Sequence, residues 1–292
     1  QRAEAFRAKY NFKKAYGSYD EMLDDPNVHL VYVATPHSHH YQYVKLCLEK
    51  NKNVLCEKPL TANAKQAREI IKFAEDKKLL LTEAIWPRYM PLAKKIVEEV
   101  NSGIIGEVFT LSANLGYPID HIQRLIDTNL AGGVLLDLGI YPPTFAAIVF
   151  GSFTKDAIEK VTSTCTKHPK TGVDTIDSVT IQYKNGRVAM IYSTMFCQTN
   201  RQGVIDGRKG FMEIENIFNY QVLRIYDLER KLIKEIKCPQ QINGYEYEVQ
   251  SCLKAIREGK IECPEIPHEE MIRMVEFMDS LRTEWGIKYP FE

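Results

Sequence analysis

Apolar and polar residues follow two different patterns along the chain, and the change falls near residue 85. Before it, short apolar runs alternate with stretches of helical periodicity. These runs are apolar on both faces, as in a parallel sheet covered by helices. Ser18 and Asn63 are placed to cap two of the helices. The predicted elements are strands over 15–16, 30–34, 53–57 and 79–82 and helices over 2–10, 40–50 and 64–77, with a further helix after Ser18.

Beyond residue 85 the pattern changes to strand-like alternation interrupted by helical stretches. The strongest signal is Asn185-Gly186, because this dipeptide favours a tight hairpin turn between strands 179–183 and 187–192. Alternation from residue 161 onward indicates an antiparallel sheet. The other predicted elements are strands over 107–113, 212–217, 222–226 and 232–236 and helices over 92–100, 247–258 and 269–285, with one more from about residue 141. We predict an α/β domain with a parallel sheet over 1–85 and an α+β domain with an open, mostly antiparallel sheet over 86–292.

The charge balance narrows the class of partner. Basic and acidic side chains number 38 each, so the formal net charge is zero. The sequence shows neither the basic stripe that nucleic acid requires nor an apolar run near the ~20 residues that span a bilayer. The seven cysteines are scattered without metal-ligand spacing, and their odd number favours reduced thiols. We expect a cytoplasmic enzyme with a small-molecule substrate, without nucleic-acid or membrane partners.

Two consecutive buried strands end in polar, proline-marked turns, which predicts one shared site. The first strand runs into residues 35–40, and the second ends in residues 57–59. Open parallel sheets bind ligands in the crevice at the carboxyl ends of their strands, where both turns would lie. The histidines of the first turn could share a helix face, but no carboxylate or thiol follows at metal-ligand spacing. We therefore expect no metal, and we interpret His37 and His39 as mostly solvated or capping groups.

Four segments together resemble one family of enzymes. They are Ala34-Thr35-Pro36 with His40, Val54-Leu55-Cys56-Glu57-Lys58-Pro59, Glu83-Ala84-Ile85-Trp86 with Arg88 and Pro91, and Asp137-Leu138-Gly139-Ile140-Tyr141. In this order they resemble the Gfo/Idh/MocA family of NAD(P)-dependent oxidoreductases, and the last two resemble its branch of dihydrodiol and D-xylose dehydrogenases. The resemblance covers nearly the whole chain. It implies a Rossmann-type dinucleotide-binding domain over 1–85, a substrate-binding and dimerisation domain over 86–292, NADP or NAD as cofactor, and a homodimer formed through the second domain's sheet.

The resemblance also implies roles for individual side chains. Oxidation of a secondary alcohol needs a group that removes the hydroxyl proton, and Tyr141 is the candidate. The ordinary pKa of tyrosine is about 10, so we expect the Lys58 ammonium to lie beside Tyr141 and lower that pKa. Asp137, about one helical turn earlier, would orient the substrate or hold Lys58. The expected catalytic residues are Lys58, Tyr141 and Asp137, the expected cofactor contacts are Thr35, Pro36, His40, Glu57, Lys58, Trp86 and Arg88, and the expected substrate contacts are Trp86, Asp137, Leu138 and Tyr141.

One feature of that family is missing from this sequence. Its members begin with a strand, a Gly-x-Gly-x-x-Gly turn, a helix and a second strand, and this sequence starts at Gln1 beyond that point. Two explanations are open: a fragment of a longer chain, or a natural truncation that no longer binds dinucleotide. The preference for NAD or NADP stays open too, because the end of the second strand normally decides it.

The functional prediction is a dehydrogenase that moves hydride between nicotinamide and a secondary alcohol of a cyclic diol or sugar. The alternatives are a non-catalytic dinucleotide-sensing or regulatory protein of the same fold and an inactive fragment. The polar loop over 168–174 is a further candidate for substrate contact. The resemblance also implies that the bond between Lys58 and Pro59 is cis.

Overall fold

The N-terminal part of the chain is a three-stranded parallel sheet with helices packed against it. The computed structural model describes residues 1–292. The strands are β1 (Leu30–Val33), β2 (Asn53–Glu57) and β3 (Leu81–Ala84), and the helices are α1 (Arg2–Tyr10), α2 (Tyr19–Asp24), α3 (His40–Glu49) and α4 (Ala64–Lys77). In the sheet order β1-β2-β3, Val54 lies opposite both Val31 and Leu81. Parallel pairing of buried runs places all three carboxyl ends at one edge of the sheet.

The helix caps of this part form as predicted. Ser18 Oγ accepts a hydrogen bond from Glu21 N at 3.2 Å, and Asn63 Oδ1 accepts one from Gln66 N at 3.0 Å. Each bond satisfies one of the backbone donors that a helix leaves unpaired at its start. The caps therefore fix where α2 and α4 begin, and the predicted bounds of α4 are confirmed.

Two strand predictions of this part need correction. The predicted strand over 15–16 does not form; the Tyr16 hydroxyl instead donates to Asp25 at 2.7 Å, beside a loop rather than a strand. The third strand begins at Leu81 rather than at residue 79, because Leu79 N donates to Ala74 O at 3.0 Å and so still belongs to the end of α4. Apolar residues that close a helix end look like strand residues in a sequence pattern.

The C-terminal part is built on one open sheet of eight strands. Its strands are β4 (Val108–Gly116), β5 (Ile158–Lys167), β6 (Asp174–Tyr183), β7 (Val188–Thr194), β8 (Gly203–Gly207), β9 (Gly210–Ile214), β10 (Val222–Asp227) and β11 (Leu232–Lys237). Their order is β11-β10-β9-β8-β4-β7-β6-β5, and every neighbouring pair is antiparallel except β4 with β7. The predicted fold class is confirmed. Sequence reasoning missed β8, a five-residue strand that begins and ends with glycine.

Helices cover one face of this sheet and leave the other face exposed. The helices are α5 (Pro91–Asn101), α6 (Val134–Asp137), α7 (Tyr141–Phe150), α8 (Tyr245–Arg257) and α9 (His268–Glu284). Burial alternates along β6, with Val179 and Ile181 buried and Thr180 between them exposed. On the uncovered face, Met190 and Tyr192 of β7 are 45% and 42% exposed. Taken singly, none of the helices is both long and apolar enough to cross a membrane, whereas the bent pair Thr128–Asp137 and Tyr141–Phe150 passes that test together.

Candidate active site

A cavity of about 450 Å³ lies at the carboxyl ends of the three parallel strands. This is the edge at which open parallel sheets bind ligands. Segments after β1, β2 and β3 form one side of the cavity, and segments of the eight-stranded part close it from the other. Its lining residues are Ala34, Thr35, Pro36, His37, His40, Glu57, Lys58, Trp86, Arg124, Asp137, Leu138, Tyr141, Phe218 and Tyr245. All the predicted site residues except Arg88 are among them.

Lys58 and Asp137 form a nearly buried ion pair in this cavity. Lys58 Nζ donates to the backbone oxygen of Asp137 at 2.5 Å and lies 3.4 Å from its Oδ1, with side chains only 12% and 10% exposed. Arg124 Nη1 lies 3.3 Å from the same carboxylate oxygen. Burial works against ionisation of Asp137, but the two cations outweigh it and lower the pKa of Asp137. Asp137 is therefore a carboxylate at neutral pH and an acceptor of hydrogen bonds.

His37 is buried against the same carboxylate, which corrects its interpretation as a solvated or capping group. Its Nδ1 lies 3.0 Å from the backbone oxygen of Ala131, and a carbonyl oxygen only accepts, so Nδ1 carries the proton. Its Nε2 lies 3.7 Å from Asp137 Oδ1, and burial lowers the pKa of His37. The ring is thus neutral, and it presents an unprotonated nitrogen beside Asp137. His39 remains partly exposed, with Nδ1 2.9 Å from Ser38 Oγ.

His40 ties together the two strand-end turns that were predicted to share a site. The ring is fully buried, with Nδ1 2.7 Å from Pro59 O and Nε2 2.8 Å from Thr35 O. The peptide bond between Lys58 and Pro59 is cis, as the family resemblance implied. These contacts fix the backbone from which the Lys58 side chain projects.

Glu83 secures the other side of the turn that carries Lys58. Its Oε1 accepts a hydrogen bond from Leu60 N at 2.6 Å. Burial raises the pKa of Glu83 to about 7. On the cavity side, Glu57 accepts hydrogen bonds from the Tyr32 hydroxyl and from Lys58 N. The side chains of Glu83 and Glu57 therefore hold the backbone around Lys58 without any contribution from a ligand.

Tyr141 is the first residue of α7 and is buried beside Lys58. Lys58 Nζ lies over the ring of Tyr141, 5.2 Å from its centroid, and its hydrogen bonds go to Asp137. Burial raises the pKa of Tyr141 well above its usual value, and the carboxylates of Glu57 and Asp137 raise it further. The predicted fall of this pKa is therefore wrong in direction, because burial and the two carboxylates outweigh the Lys58 ammonium, which by itself favours the phenolate. Tyr141 is a protonated phenol at neutral pH and a hydrogen-bond donor.

Aromatic rings form one wall of the cavity. Trp86 stacks on Tyr245 with ring centroids 4.5 Å apart and planes within 8°. Phe218 packs edge-on against both Trp86 and Tyr141, with centroids 5.0 Å away in each case. Sequence reasoning placed Trp86 here but missed Phe218 and Tyr245. No sequence signal identified them, because both come from segments more than 100 residues after Trp86.

Two buried polar atoms of the lining have no hydrogen-bond partner within the chain. They are Thr35 Oγ1 and Trp86 Nε1. Buried polar groups are normally paired, so each is available to a polar ligand in the cavity. Thr35 lies two residues beyond the end of β1, at the carboxyl edge of the parallel sheet, where folds of this type bind dinucleotides. The residues present therefore fit a polar group of such a cofactor.

Two expected contacts lie outside the cavity. Arg88 Nη2 lies 3.6 Å from Glu270 of α9, and Nη1 lies 3.4 Å from Glu265 O, so its guanidinium faces a different cleft. The loop over 168–174 does not line the cavity either. Its last residue, Asp174, is fully buried and accepts a hydrogen bond from Leu135 N at 2.5 Å. Both predictions fail because other parts of the fold hold these side chains: Glu270 and Glu265 O hold Arg88, and the backbone amide of Leu135 holds Asp174.

Comparison with known proteins gives the class to which this fold and site belong. Residues 1–85 match the family model described as an oxidoreductase family with an NAD-binding Rossmann fold, and residues 93–213 match the Gfo/Idh/MocA C-terminal domain. The chain belongs to the Gfo/Idh/MocA family of oxidoreductases.

Individual relatives agree with this assignment. Mouse trans-1,2-dihydrobenzene-1,2-diol dehydrogenase is 35% identical, over 99% of this chain and 87% of its own length. The D-xylose 1-dehydrogenase (NADP(+)) of Hypocrea jecorina is 34% identical, over 95% and 78%. In fold, the chain matches a 3-ketoreductase from Actinomadura kijaniata in complex with NADP and TDP-benzene, with a TM-score of 0.86 at 23% identity, covering 97% of this chain and 86% of that one.

Proposed function

We propose that this chain transfers a hydride between a nicotinamide dinucleotide, NAD or NADP, and a secondary alcohol of a cyclic diol or a sugar. The observation that carries the proposal is the convergence of Lys58, Asp137 and Tyr141 in a cavity with an aromatic wall. One face of a ring of this kind can pack against the aromatic wall, and its adjacent hydroxyls can form hydrogen bonds with the polar side chains. The dihydrodiol and xylose dehydrogenases among its relatives support this substrate class.

Tyr141, Lys58 and Asp137 have different roles in the proposed reaction. A bound nicotinamide supplies the hydride acceptor, and the protein manages the proton on the substrate oxygen. Because Tyr141 is protonated, its hydroxyl donates to the substrate oxygen and gives up its proton when a carbonyl is reduced. In the oxidation direction the same phenol oxygen must first lose its proton. Lys58 then favours the phenolate by its positive charge, and the Asp137 carboxylate accepts a hydrogen bond from a neighbouring hydroxyl.

The lining residues also divide between cofactor and substrate in this proposal. Those that follow β1 and β2 contact the cofactor, and those of the second part contact the substrate. The proposed cofactor contacts are Thr35, Pro36, His40, Glu57 and Lys58, and the proposed substrate contacts are Trp86, Asp137, Leu138 and Tyr141. We further propose that the two parts are separate domains over 1–85 and 86–292.

The test compares two tyrosines that differ in place but not in chemistry. Tyr141→Phe removes the proposed proton donor, whereas Tyr220→Phe removes an equally buried hydroxyl without a hydrogen-bond partner, outside the cavity. With D-xylose and a trans-dihydrobenzenediol as substrates, we expect kcat/KM to fall roughly 100- to 10,000-fold in the first variant and to stay unchanged in the second. Equal activity of the two variants, or inactivity of the chain with a complete N-terminal segment towards every sugar and diol tried, would reject the proposal.

Binding is measured separately from turnover. NADPH and NADH are titrated, by calorimetry, into this chain and into one extended by a complete N-terminal strand–turn–helix–strand segment. Binding by the extended chain alone locates the missing contribution in that segment. Failure of both chains to bind contradicts a nicotinamide enzyme regardless of the turnover result.

We also propose that two copies associate through the uncovered sheet face. Met190 and Tyr192 stand there as exposed apolar side chains among the alternating polar residues of β6 and β7, and contiguous exposed apolar surface marks an interaction site. Met190→Glu should shift the sedimenting mass from dimer to monomer. Leu228→Glu should leave it unchanged, because Leu228 lies in a turn and is itself 67% exposed. A monomeric native chain at micromolar concentration would contradict the dimer. A cytoplasmic location is proposed on the seven free cysteines alone.

A further inference from the structure

Two buried carboxyl groups lie directly beneath the segment that carries the candidate catalytic residues. Asp174 and Asp177 of β6 are 0% and 3% exposed. The segment above them runs from Gly133 through α6 to Tyr141 and delivers Asp137, Leu138 and Tyr141 to the cavity. Neither carboxyl lines the cavity, so neither takes part in the chemistry proposed above.

Asp174 holds the start of this segment. Its Oδ2 accepts a hydrogen bond from Leu135 N at 2.5 Å and thereby satisfies one of the free donors at the start of α6. Its Oδ1 has no partner and lies so close to Gly133 that a methyl group on that residue would overlap it. Gly133 has a φ of 123°, which a residue with a side chain rarely adopts. The lack of a side chain at Gly133 therefore leaves the space that the Asp174 carboxyl group occupies.

Asp177 supports the end of the same segment. Its Oδ1 accepts hydrogen bonds from Ser193 N at 3.0 Å and from Ser193 Oγ at 2.6 Å, which anchors it to β7. Its Oδ2 has no partner and would lie 2.9 Å from a methyl group on Gly139. Gly139 stands between Asp137 and Tyr141. The unpaired oxygen of each carboxyl group thus abuts one glycine at either end of the segment.

We propose that Asp174 and Asp177 form a positioning pair, which sets where Asp137, Leu138 and Tyr141 enter the cavity and which moves them when the pair changes charge. A neutral carboxyl group can lie against a backbone without a partner at lower cost than a carboxylate can. Ionisation of the pair therefore strains the contacts at Gly133 and Gly139, and the segment between them responds. The effect on turnover rests on the proposed function; the movement of Asp137 does not.

The surroundings of the pair place its change of charge in the neutral range. Burial raises the pKa of Asp174 to about 6 and that of Asp177 to about 7, and the charge of Asp174 further raises that of Asp177. Arg282 of α9 is the cation that opposes the shift of Asp174. The other titratable groups facing the pair are Cys165 of β5 and Tyr289; burial raises the pKa of each, and the charge of Asp174 raises it further. Neither of them titrates between pH 5 and 8.

The test reads the position of Asp137 without substrate or cofactor. The full chain is labelled with ¹³Cγ-aspartate, and the carboxyl signal of Asp137 is followed from pH 5 to pH 8.5. Asp137 itself stays ionised over this range, so an inflection near pH 6–7 reports a change in its surroundings. We expect the inflection in the native chain and in Asp206→Asn, whose carboxyl group accepts from Thr110 Oγ1 far from the segment. We expect one step of it to be lost in each of Asp174→Asn and Asp177→Asn, and the whole inflection to vanish when both residues are replaced.

A second variant keeps the proposal testable if an asparagine variant does not fold. Ser193→Ala removes a hydrogen bond that lowers the pKa of Asp177, so the inflection should move to higher pH. An Asp137 signal without an inflection, or one whose inflection persists when Asp174 and Asp177 are both replaced by asparagine, would overturn the proposal. So would an inflection in Ser193→Ala at the native pH.

Turnover then separates positioning from mere stability. Asp174→Asn should keep native kcat at pH 6, because its amide oxygen still accepts from Leu135 N, whereas Asp174→Ala should lose roughly 10- to 100-fold in kcat with little change in KM. Native kcat and KM in a folded Asp174→Ala variant would show a purely structural role. If the native chain turns over no substrate but the Asp137 inflection behaves as expected, the proposed function fails and the positioning pair stands.

Discussion

The ion pair between Lys58 and Asp137 should make the candidate active site a measurable part of the stability of the fold. At 3.4 Å and an effective dielectric constant of about 20, the attraction between the two charges is about 5 kcal/mol. Lys58 keeps the backbone oxygen of Asp137 at 2.5 Å when the carboxylate is removed, which offsets part of the loss. We therefore expect Asp137→Asn to lower the free energy of unfolding by about 3 kcal/mol, the lower end for breaking a buried pair.

The assay is thermal unfolding by circular dichroism at several pH values. At pH 7 the loss corresponds to a Tm lower by roughly 5–10 °C. Asp120→Asn is the control, because Asp120 is exposed and its side chain has no hydrogen bond, so its Tm should change by less than about 2 °C.

The dependence on pH gives this prediction a second check. The folded-state pKa of Asp137 is depressed, so its contribution is present above the ordinary aspartate value of 3.8 and is lost as pH falls below it. The Tm difference between the native chain and Asp137→Asn should therefore shrink between pH 5 and pH 3. An Asp137→Asn variant as stable as the Asp120→Asn control at pH 7 would refute the reasoning, and so would a difference that does not change with pH.

Three further predictions concern neighbouring groups. Because Tyr141 must lose its proton before it can accept one, kcat/KM for alcohol oxidation should rise with pH up to at least pH 9, whereas carbonyl reduction should stay flat; a flat oxidation profile would contradict its role. Glu83→Leu should cost about 1–3 kcal/mol in urea unfolding by leaving Leu60 N unpaired. Glu83→Gln should keep that bond and gain stability relative to the native chain as pH rises from 4.5 to about 7, since the fold favours the neutral acid. Phe218→Ala removes one ring of the aromatic wall, and loss of one aromatic contact with the proposed substrate, worth about 0.5–1.5 kcal/mol, should raise KM roughly 2- to 10-fold in steady-state kinetics; an unchanged KM would place substrate elsewhere.

Much of the site was predictable because its central residues follow local rules. Lys58 lies past the end of a buried strand, and such ends meet at one edge of a parallel sheet. Asp137 and Tyr141 stand four residues apart in one short segment, so a sequence motif brings them to the same place. Residues whose position depends only on a strand end or a helix start are therefore within reach of sequence reasoning.

The remainder depended on contacts between distant parts of the chain. Phe218 and Tyr245 complete the aromatic wall from segments that no local pattern connects with Trp86. Burial decides the protonation of Tyr141 and His37, and it is a property of the assembled fold. Sequence reasoning therefore predicted the wrong direction for the pKa shift of Tyr141 and a solvated environment for His37, which is buried. Arg88 was misplaced for the same reason, since its partner Glu270 comes 182 residues later.

The distances along the chain between contacting site residues also determine when this site can form during folding. Lys58 meets Asp137 across 79 residues, and His37 meets Ala131 across 94. Closing such long loops costs more chain entropy than forming local helices and hairpins, so these contacts form late in folding. On dilution from urea, ellipticity should return before the fluorescence change of Trp86 stacking on Tyr245. A partly folded chain therefore has most of its secondary structure while its cavity is still open and its Lys58 ammonium still in water.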